Sequence, residues 1–332
     1  MSIRFGGPTR YRVILALTII TLVAGCAGTR QRPTSSAPPS SAGFPVTLKD
    51  AQGVEVRAER PPRRIVSLAP TVTEILYAIG AGDRVVAAAD PADYPPAAAK
   101  LPRVGGWFTP SAEKTLGAEP DLVIGSRGNP PDLVATLRKS GCQVFTIDPA
   151  TLHDILTAIQ QIGEITGASQ GASQASALLE ARLAAVAAKI GEVAEAKRPT
   201  AFILISVNPV WTAGAETFQD DAIRAAGARN IAARLKGFRP FSTESLLAAD
   251  PDFLLLSTME GDPERMRRDV LSDPALKRLS AVRRNHLVVL EANHIMRPGP
   301  RIVDAIEAMA RAFYPDRSPS APKPNSSATS AR

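Results

Sequence analysis

Cysteine and histidine are nearly missing from this 332-residue chain, which has two of the former and three of the latter. Two cysteines, Cys26 and Cys142, exclude a disulfide framework and a Cys-based metal cluster. His153, His286 and His294 have no ligand spacing among them, and no HExxH stretch occurs. Ser67 and Ser206 end candidate strands, but neither stands in Gly-x-Ser-x-Gly, and no Gly-rich phosphate loop follows a strand. No catalytic constellation remains, so we expect a protein that is not an enzyme and needs no metal or cofactor. Aromatic residues are few, at 5%. The apolar run Val13–Val23 is too short to span a bilayer comfortably.

A block of one charge sign is also missing. The net charge is +7, but Arg4, Arg10 and Arg12 lie in a segment expected to be removed, and taking those three away leaves +4. The remaining Lys and Arg are dispersed, which reads as a solvated surface and gives no reason to expect a nucleic-acid partner. What stands at the N-terminus is an address. Three arginines, a short apolar core and small residues form a secretory signal over residues 1–25. Cys26 directly follows Val23-Ala24-Gly25, which resembles a bacterial lipobox. That resemblance implies cleavage before Cys26, its lipidation, and a lipoprotein tethered to a membrane in the periplasm or at the cell surface. Residues 26–43 continue as a Pro/Ser linker, and 316–332 as a similar tail, both expected to be disordered. Cys142 then has no partner and reads as a small buried apolar residue.

Helix formers are abundant in one stretch. Ala172 to Lys197 is rich in Ala, Leu, Glu, Lys and Arg, and Leu179, Leu183, Val186, Ile190 and Val193 form one apolar stripe. The pattern predicts a long helix over 168–198, stopped by Pro199, with Gly191 tolerated inside it. On either side lies a near-repeat. Ser111-Ala-Glu113 leads to Pro120-Asp121 and an apolar run, and Ser242-Thr-Glu244 leads to Pro251-Asp252 and another, with identical spacing. Each copy reads as a short helix, a proline turn and a buried parallel strand. Two lobes of related build joined by one helix would leave a cleft between them, the usual place for a ligand.

The rest of the chain fits that plan. Residues 44–61 alternate around Ala51-Gln-Gly53 and read as a β-hairpin. The first lobe spans 62–167. In it Arg64–Pro70 is a strand and loop, Thr71-Val-Thr-Glu74 reads as a capping box before the helix Ile75–Ile79, and Arg84–Ala88 is a second strand. The helices Pro131–Ser140 and Leu152–Ile165 flank the strand Gln143–Ile147. The second lobe spans 199–315. It opens with the strand Ala201–Val207 and the loop Asn208–Gly214, and it continues through the helix Phe218–Ala226 and the loop Gly237–Phe241. The strands Phe253–Ser257 and His286–Leu290, the loop Asn293–Arg301 and the helix Ile302–Tyr314 complete it. Strands alternating with helices predict an α/β fold of two parallel-sheet, Rossmann-like lobes.

Several of these residues carry a family resemblance. Arg64–Leu76, Asp93-Tyr-Pro-Pro96, Val104-Gly-Gly-Trp107, Ser111-Ala-Glu113 and Pro120–Ile124 resemble the class III periplasmic binding proteins, which serve ABC importers of iron-siderophores, haem and vitamin B12. The Asp-Tyr-Pro-Pro stretch and Asn208–Gly214 are most similar to the cobalamin-binding branch. The resemblance implies a small-molecule ligand held between the lobes, expected to be cobalamin or a related corrinoid, with a ferric siderophore or haem as the alternative. The chain is expected to be a monomer, and a lipoprotein that binds another protein in place of a solute is a further reading. It also implies docking on an ABC permease through Glu113 and Glu244, one on each lobe. Positions matching corrinoid contacts are Trp107, Trp211, Phe238 and Arg297, with Asn293 where the family can carry an acid. The match departs at Pro91 and Ser126, where the branch can carry aromatics. It also departs at Ala226, where one of its members has a cysteine. Gly106 stands where a haem binder would offer an axial tyrosine. Arg127, Arg239, Arg297 and Arg301 leave a ferric siderophore open, and His294 is a possible axial ligand.

Overall fold

A computed structural model describes residues 43–257 and 263–317. The leader, Cys26, the linker up to residue 42 and the tail from 318 lie outside the described residues.

Strands β1 (Val46–Lys49) and β2 (Glu55–Ala58) form the expected antiparallel hairpin. Asp50 starts its turn. One carboxylate oxygen accepts from the backbone N–H groups of Gln52 and Val54, and the other accepts from the Thr146 hydroxyl at 2.7 Å and Arg138 at 2.5 Å. That buried carboxylate fastens the hairpin to the first lobe.

The first lobe is built on β3 (Ile65–Ser67), β4 (Val85–Ala88), β5 (Leu122–Ser126) and β6 (Val144–Ile147), all parallel in the order β4-β3-β5-β6. Its helices are α1 (Pro70–Ala78), α2 (Ala112–Gly117), α3 (Pro131–Lys139) and α4 (Leu152–Thr166). The capping box predicted at Thr71–Glu74 does not form. Pro70 at the first turn starts the helix earlier, Ala69 is its N-cap, and Thr73 and Glu74 are buried within it. Cys142 is half-buried on the outer side of this lobe, where desolvation pushes its thiol pKa up.

Helix α5 (Ser169–Ile190) joins the lobes. It is shorter than the sequence pattern suggested, because Gly191 ends it with φ +63 and is not carried inside it. Its 22 residues span about 33 Å. Gln160 of α4 donates to Ser176 of α5 at 2.8 Å. Towards its other end, Arg182 binds Asp304 and Glu307 at 2.7 and 2.9 Å.

The second lobe repeats the first in sheet order. Its strands β7 (Thr200–Leu204), β10 (Arg229–Asn230), β12 (Phe253–Leu256) and β13 (Leu287–Val289) run parallel in the order β10-β7-β12-β13. A further antiparallel sheet of β8 (Ser206–Val207), β9 (Val210–Ala213) and β11 (Phe238–Pro240) occupies stretches that the sequence suggested were partly loops. The helices are α6 (Phe218–Ala225), α7 (Thr243–Ala249), α8 (Pro263–Ser272), α9 (Ser280–Arg283), α10 (Ala292–Ile295) and α11 (Ile302–Phe313).

The central strands of the two parallel sheets, β3, β5, β7 and β12, are largely apolar on both faces, as parallel strands covered by helices must be. Ala201, Ile203 and Leu255 turn into a core that also holds Ile65, Leu122, Leu179 of α5 and Met309 of α11. Phe202, Leu204, Leu254 and Leu256 point the other way into a separate cluster. The first core runs through both lobes and the joining helix, so the two sheets share one apolar interior. Among the described residues no helix is long and apolar enough to cross a membrane.

Candidate functional site

Between the lobes lies a cleft of about 520 Å³. The first lobe supplies Trp107, Phe108, Arg127 and Gly128 to its wall, and the second supplies Phe218, Phe238, Arg239, Met296 and Pro298.

Trp107 and Phe108 sit at the tip of the turn closed by the Gly105–Pro110 bridge. Their rings stack, with centroids 4.8 Å apart. Buried Asn129 holds this turn to the sheet. Its Nδ2 donates to the Trp107 carbonyl at 2.8 Å and the Leu68 carbonyl at 3.0 Å, while its Oδ1 accepts from the Ser126 N–H at 2.8 Å. Gly128 lies beneath the pair with φ +100, and a Cβ there would come within 2.9 Å of Phe108 and 3.2 Å of the Trp107 indole nitrogen. The stack therefore requires a glycine at this position on two grounds, backbone conformation and space. The indole Nε1 is buried without a hydrogen-bond partner among the described residues.

The opposite wall comes from the antiparallel sheet. Phe238 pairs with Ala213, and Pro240 with Trp211. Trp211 and Phe238 therefore share one face as diagonal neighbours. Trp211 is 37% exposed and does not reach the part of the cleft that Phe238 lines. Phe218 opens α6, whose N-cap Thr217 accepts from the Asp220 N–H and donates to the Gly214 carbonyl. The cleft thus has an aromatic floor from both lobes. Its rim carries Arg127, 3.7 Å from Asp148, and Arg239, which donates to the Phe238 carbonyl.

Asn293 and Arg297 are engaged elsewhere. Asn293 Nδ2 donates to Asp93 at 3.3 Å. Arg297 donates to Asp93 at 2.8 Å, Glu74 at 3.1 Å and the Pro91 carbonyl at 3.0 Å. Met296 and Pro298, on either side of Arg297, are the residues of this loop that line the cleft. His294 turns towards Asp304, 3.8 Å away. Phe108, Phe218, Met296 and Gly128 were not singled out from the sequence. Phe108 carried a usable signal, an aromatic following Trp107 in a Gly-rich turn, whereas the others depended on packing.

Glu113 and Glu244 each occupy the first turn of a short helix, α2 and α7. Ser111 caps one by accepting from the Lys114 N–H, and Ser242 caps the other by accepting from the Ser245 N–H. Both glutamates are exposed. Among the described residues no group of side chains is arranged to hold a metal ion.

A family model described as "periplasmic binding protein" matches residues 65–294. The chain belongs to that family. It is 30% identical to a cobalamin-binding protein of Halobacterium salinarum, over 91% of this chain and 83% of that one. It is 28% identical to the ABC transporter substrate-binding lipoprotein YvrC of Bacillus subtilis, over 90% of this chain and 95% of that one. A periplasmic haem-binding protein of Pseudomonas aeruginosa superposes with a TM-score of 0.70 at 29% identity, covering 78% of this chain and 95% of that one. Membership makes this a solute-binding protein and not an enzyme by class.

Proposed function

We propose that this periplasmic binding protein captures a corrinoid, cobalamin or a close relative, between its lobes and delivers it to an ABC permease. The observation that carries the reading is the cleft wall. Stacked Trp107 and Phe108 stand on one lobe and Phe238 on the other, and no tyrosine or histidine is among the described residues lining the cleft. A corrin brings its own equatorial ligands to cobalt and needs from the protein flat apolar contact and a few polar groups for its amide rim. Haem held by a tyrosine or histidine axial ligand would need that side chain over the ring, and among the described residues lining the cleft the sulfur of Met296 is the remaining soft donor. The relative from Halobacterium salinarum, a cobalamin-binding protein, supports the same choice.

A ferric siderophore or haem is the second reading. Arg127 and Arg239, contributed by different lobes, favour it, since both could face an anionic chelate. In either case Glu113 and Glu244 dock on arginines of the permease, and Cys26 carries the lipid that keeps the monomer near it.

Calorimetric titration with cyanocobalamin, cobinamide, haemin and a ferric hydroxamate decides between the two. The expected result is saturable one-to-one corrinoid binding that weakens about 30-fold in Trp107→Ala, the usual effect of truncating an aromatic anchor. Binding of the iron chelate alone overturns the corrinoid reading.

A further inference from the structure

Opposite charges meet where the lobes touch beside the cleft. Glu74 of α1 is only 4% exposed. Arg301, at the start of α11, donates to both its oxygens, Nε to Oε2 at 2.9 Å and Nη2 to Oε1 at 2.6 Å. Arg297 adds a third bond to Glu74 and a bond to Asp93. The Arg301 guanidinium also lies 4.1 Å from the centre of the Tyr94 ring. Glu74, Asp93 and Tyr94 belong to the first lobe, and Arg297 and Arg301 belong to the second. The seam here is not filled by apolar packing, because Glu74, Tyr94 and Arg301 also line a hollow of about 510 Å³ against α5.

A buried ion cluster is a poor way to gain stability, since desolvation offsets most of its attraction. It is a good way to select one geometry, because a bidentate guanidinium–carboxylate pair is satisfied at one distance and one orientation. The loop it fixes is the one that carries Met296 and Pro298 into the cleft wall. We propose that Glu74 is a positioning residue for solute binding. By clamping Arg297 and Arg301 across the lobe boundary, it sets the aperture of the cleft and the seat of Met296 and Pro298. The inference rests on the cleft being the solute site. It also assigns Arg297 a role in holding the lobes, with its charge already neutralised before any solute arrives.

The test uses the lipidated chain in detergent, with Cys142 replaced by serine and spin labels on Lys139→Cys and Lys277→Cys, exposed positions on different lobes. Pulsed electron resonance then reads the distance distribution between the lobes. Glu74→Gln is expected to broaden it and to weaken the solute that the native chain binds by about tenfold. That is the factor expected when the competent aperture falls to a tenth of the population. Glu74→Asp is expected to restore part of both. Arg182→Ala, which removes the α5–α11 ion pairs and spares Glu74, is expected to leave the distribution unchanged. If Glu74→Gln does not fold, Asp93→Asn takes its place, releasing Arg297 from a more exposed carboxylate. An unchanged distribution overturns the proposal, and so does a broadened one that leaves the affinity at the native value. If none of the four solutes binds the native chain, the corrinoid reading falls and the distance measurement decides this proposal by itself.

Discussion

Asp121 and Asp252 do the same work in the two lobes. Asp121 accepts from the backbone N–H groups of Arg63 and Arg64, just before β3, at 2.7 and 2.9 Å. Asp252 accepts from the N–H and hydroxyl of Thr200, the first residue of β7, both at 2.8 Å. Each is the aspartate of a Pro-Asp pair, and each fastens the strand it begins to the neighbouring one. The likeness extends upstream, where Glu119 and Asp250, eight residues after the capping serines Ser111 and Ser242, both adopt positive φ. The turn that separates helix from strand is therefore built alike in both lobes.

Removing either carboxylate should loosen the start of a central strand. Asp121→Ala is expected to cost about 1 kcal/mol, since its bonds are exposed. Asp252→Ala should cost about 2 kcal/mol, since its bonds are half-buried and include a hydroxyl. Urea denaturation of the two variants beside the native chain checks the order, and equal or negligible losses would contradict it.

Gly128→Ala places a methyl group under the Trp107–Phe108 stack in a backbone conformation that L residues avoid. We expect a stability loss of about 1–3 kcal/mol from strain. We also expect solute affinity to fall about tenfold or more as the rings are displaced. Thermal melting and calorimetry give the two numbers, and the Trp107 fluorescence should shift even without solute.

Asp93 gives the lobe contact a dependence on pH. Burial would push its pKa up, but the hydrogen bond and charge of Arg297, with Arg301 beyond, outweigh that and hold it below its ordinary value. A carboxyl lowered by folding adds stability above its unfolded pKa, about 3.9, and loses it as pH falls through the folded value. The native chain should therefore melt above Asp93→Asn at neutral pH, and the gap should close below about pH 4. A gap that does not shrink at all as the pH falls below about 4 would show that Asp93 acts through packing instead.

Glu113→Ala and Glu244→Ala should leave folding nearly unchanged, within about 0.5 kcal/mol, because both side chains are on the surface. Solute affinity should hold as well. If the glutamates dock on the permease, each variant should lower solute-stimulated uptake, and the pair should lower it further. Normal uptake by the double variant would remove the docking assignment.

Much of this molecule is written locally. Apolar runs after Pro120-Asp121 and Pro251-Asp252 can only be covered strands, and Ser111 and Ser242 announce the helices before them, because capping and burial act within a few residues. The two-lobe plan followed from seeing that pattern twice around a long helix. Trp107 and Phe238, which the sequence offered as solute contacts, line the cleft in the structure, since aromatics at strand ends face the crevice of an α/β lobe. Local signals misled where two readings compete. Thr71-Val-Thr-Glu74 has the spacing of a capping box, yet Pro70 starts the helix first and Glu74 faces two arginines more than 220 residues away. Gly191 was read through because helix formers flank it on both sides, but its positive φ ends α5. The antiparallel sheet that carries Trp211 was hidden by Asn208-Pro209 and Gly237, which signal turns without saying what pairs across them. Sequence alone therefore determined most strands of the two parallel sheets, most helices and the duplicated build, which are contests between neighbouring residues. Tertiary structure alone decided that Arg297 belongs to Glu74 and Asp93, and that Gly128 lies under Phe108, because such partners are chosen by distance in space and by the cost of leaving a buried charge alone.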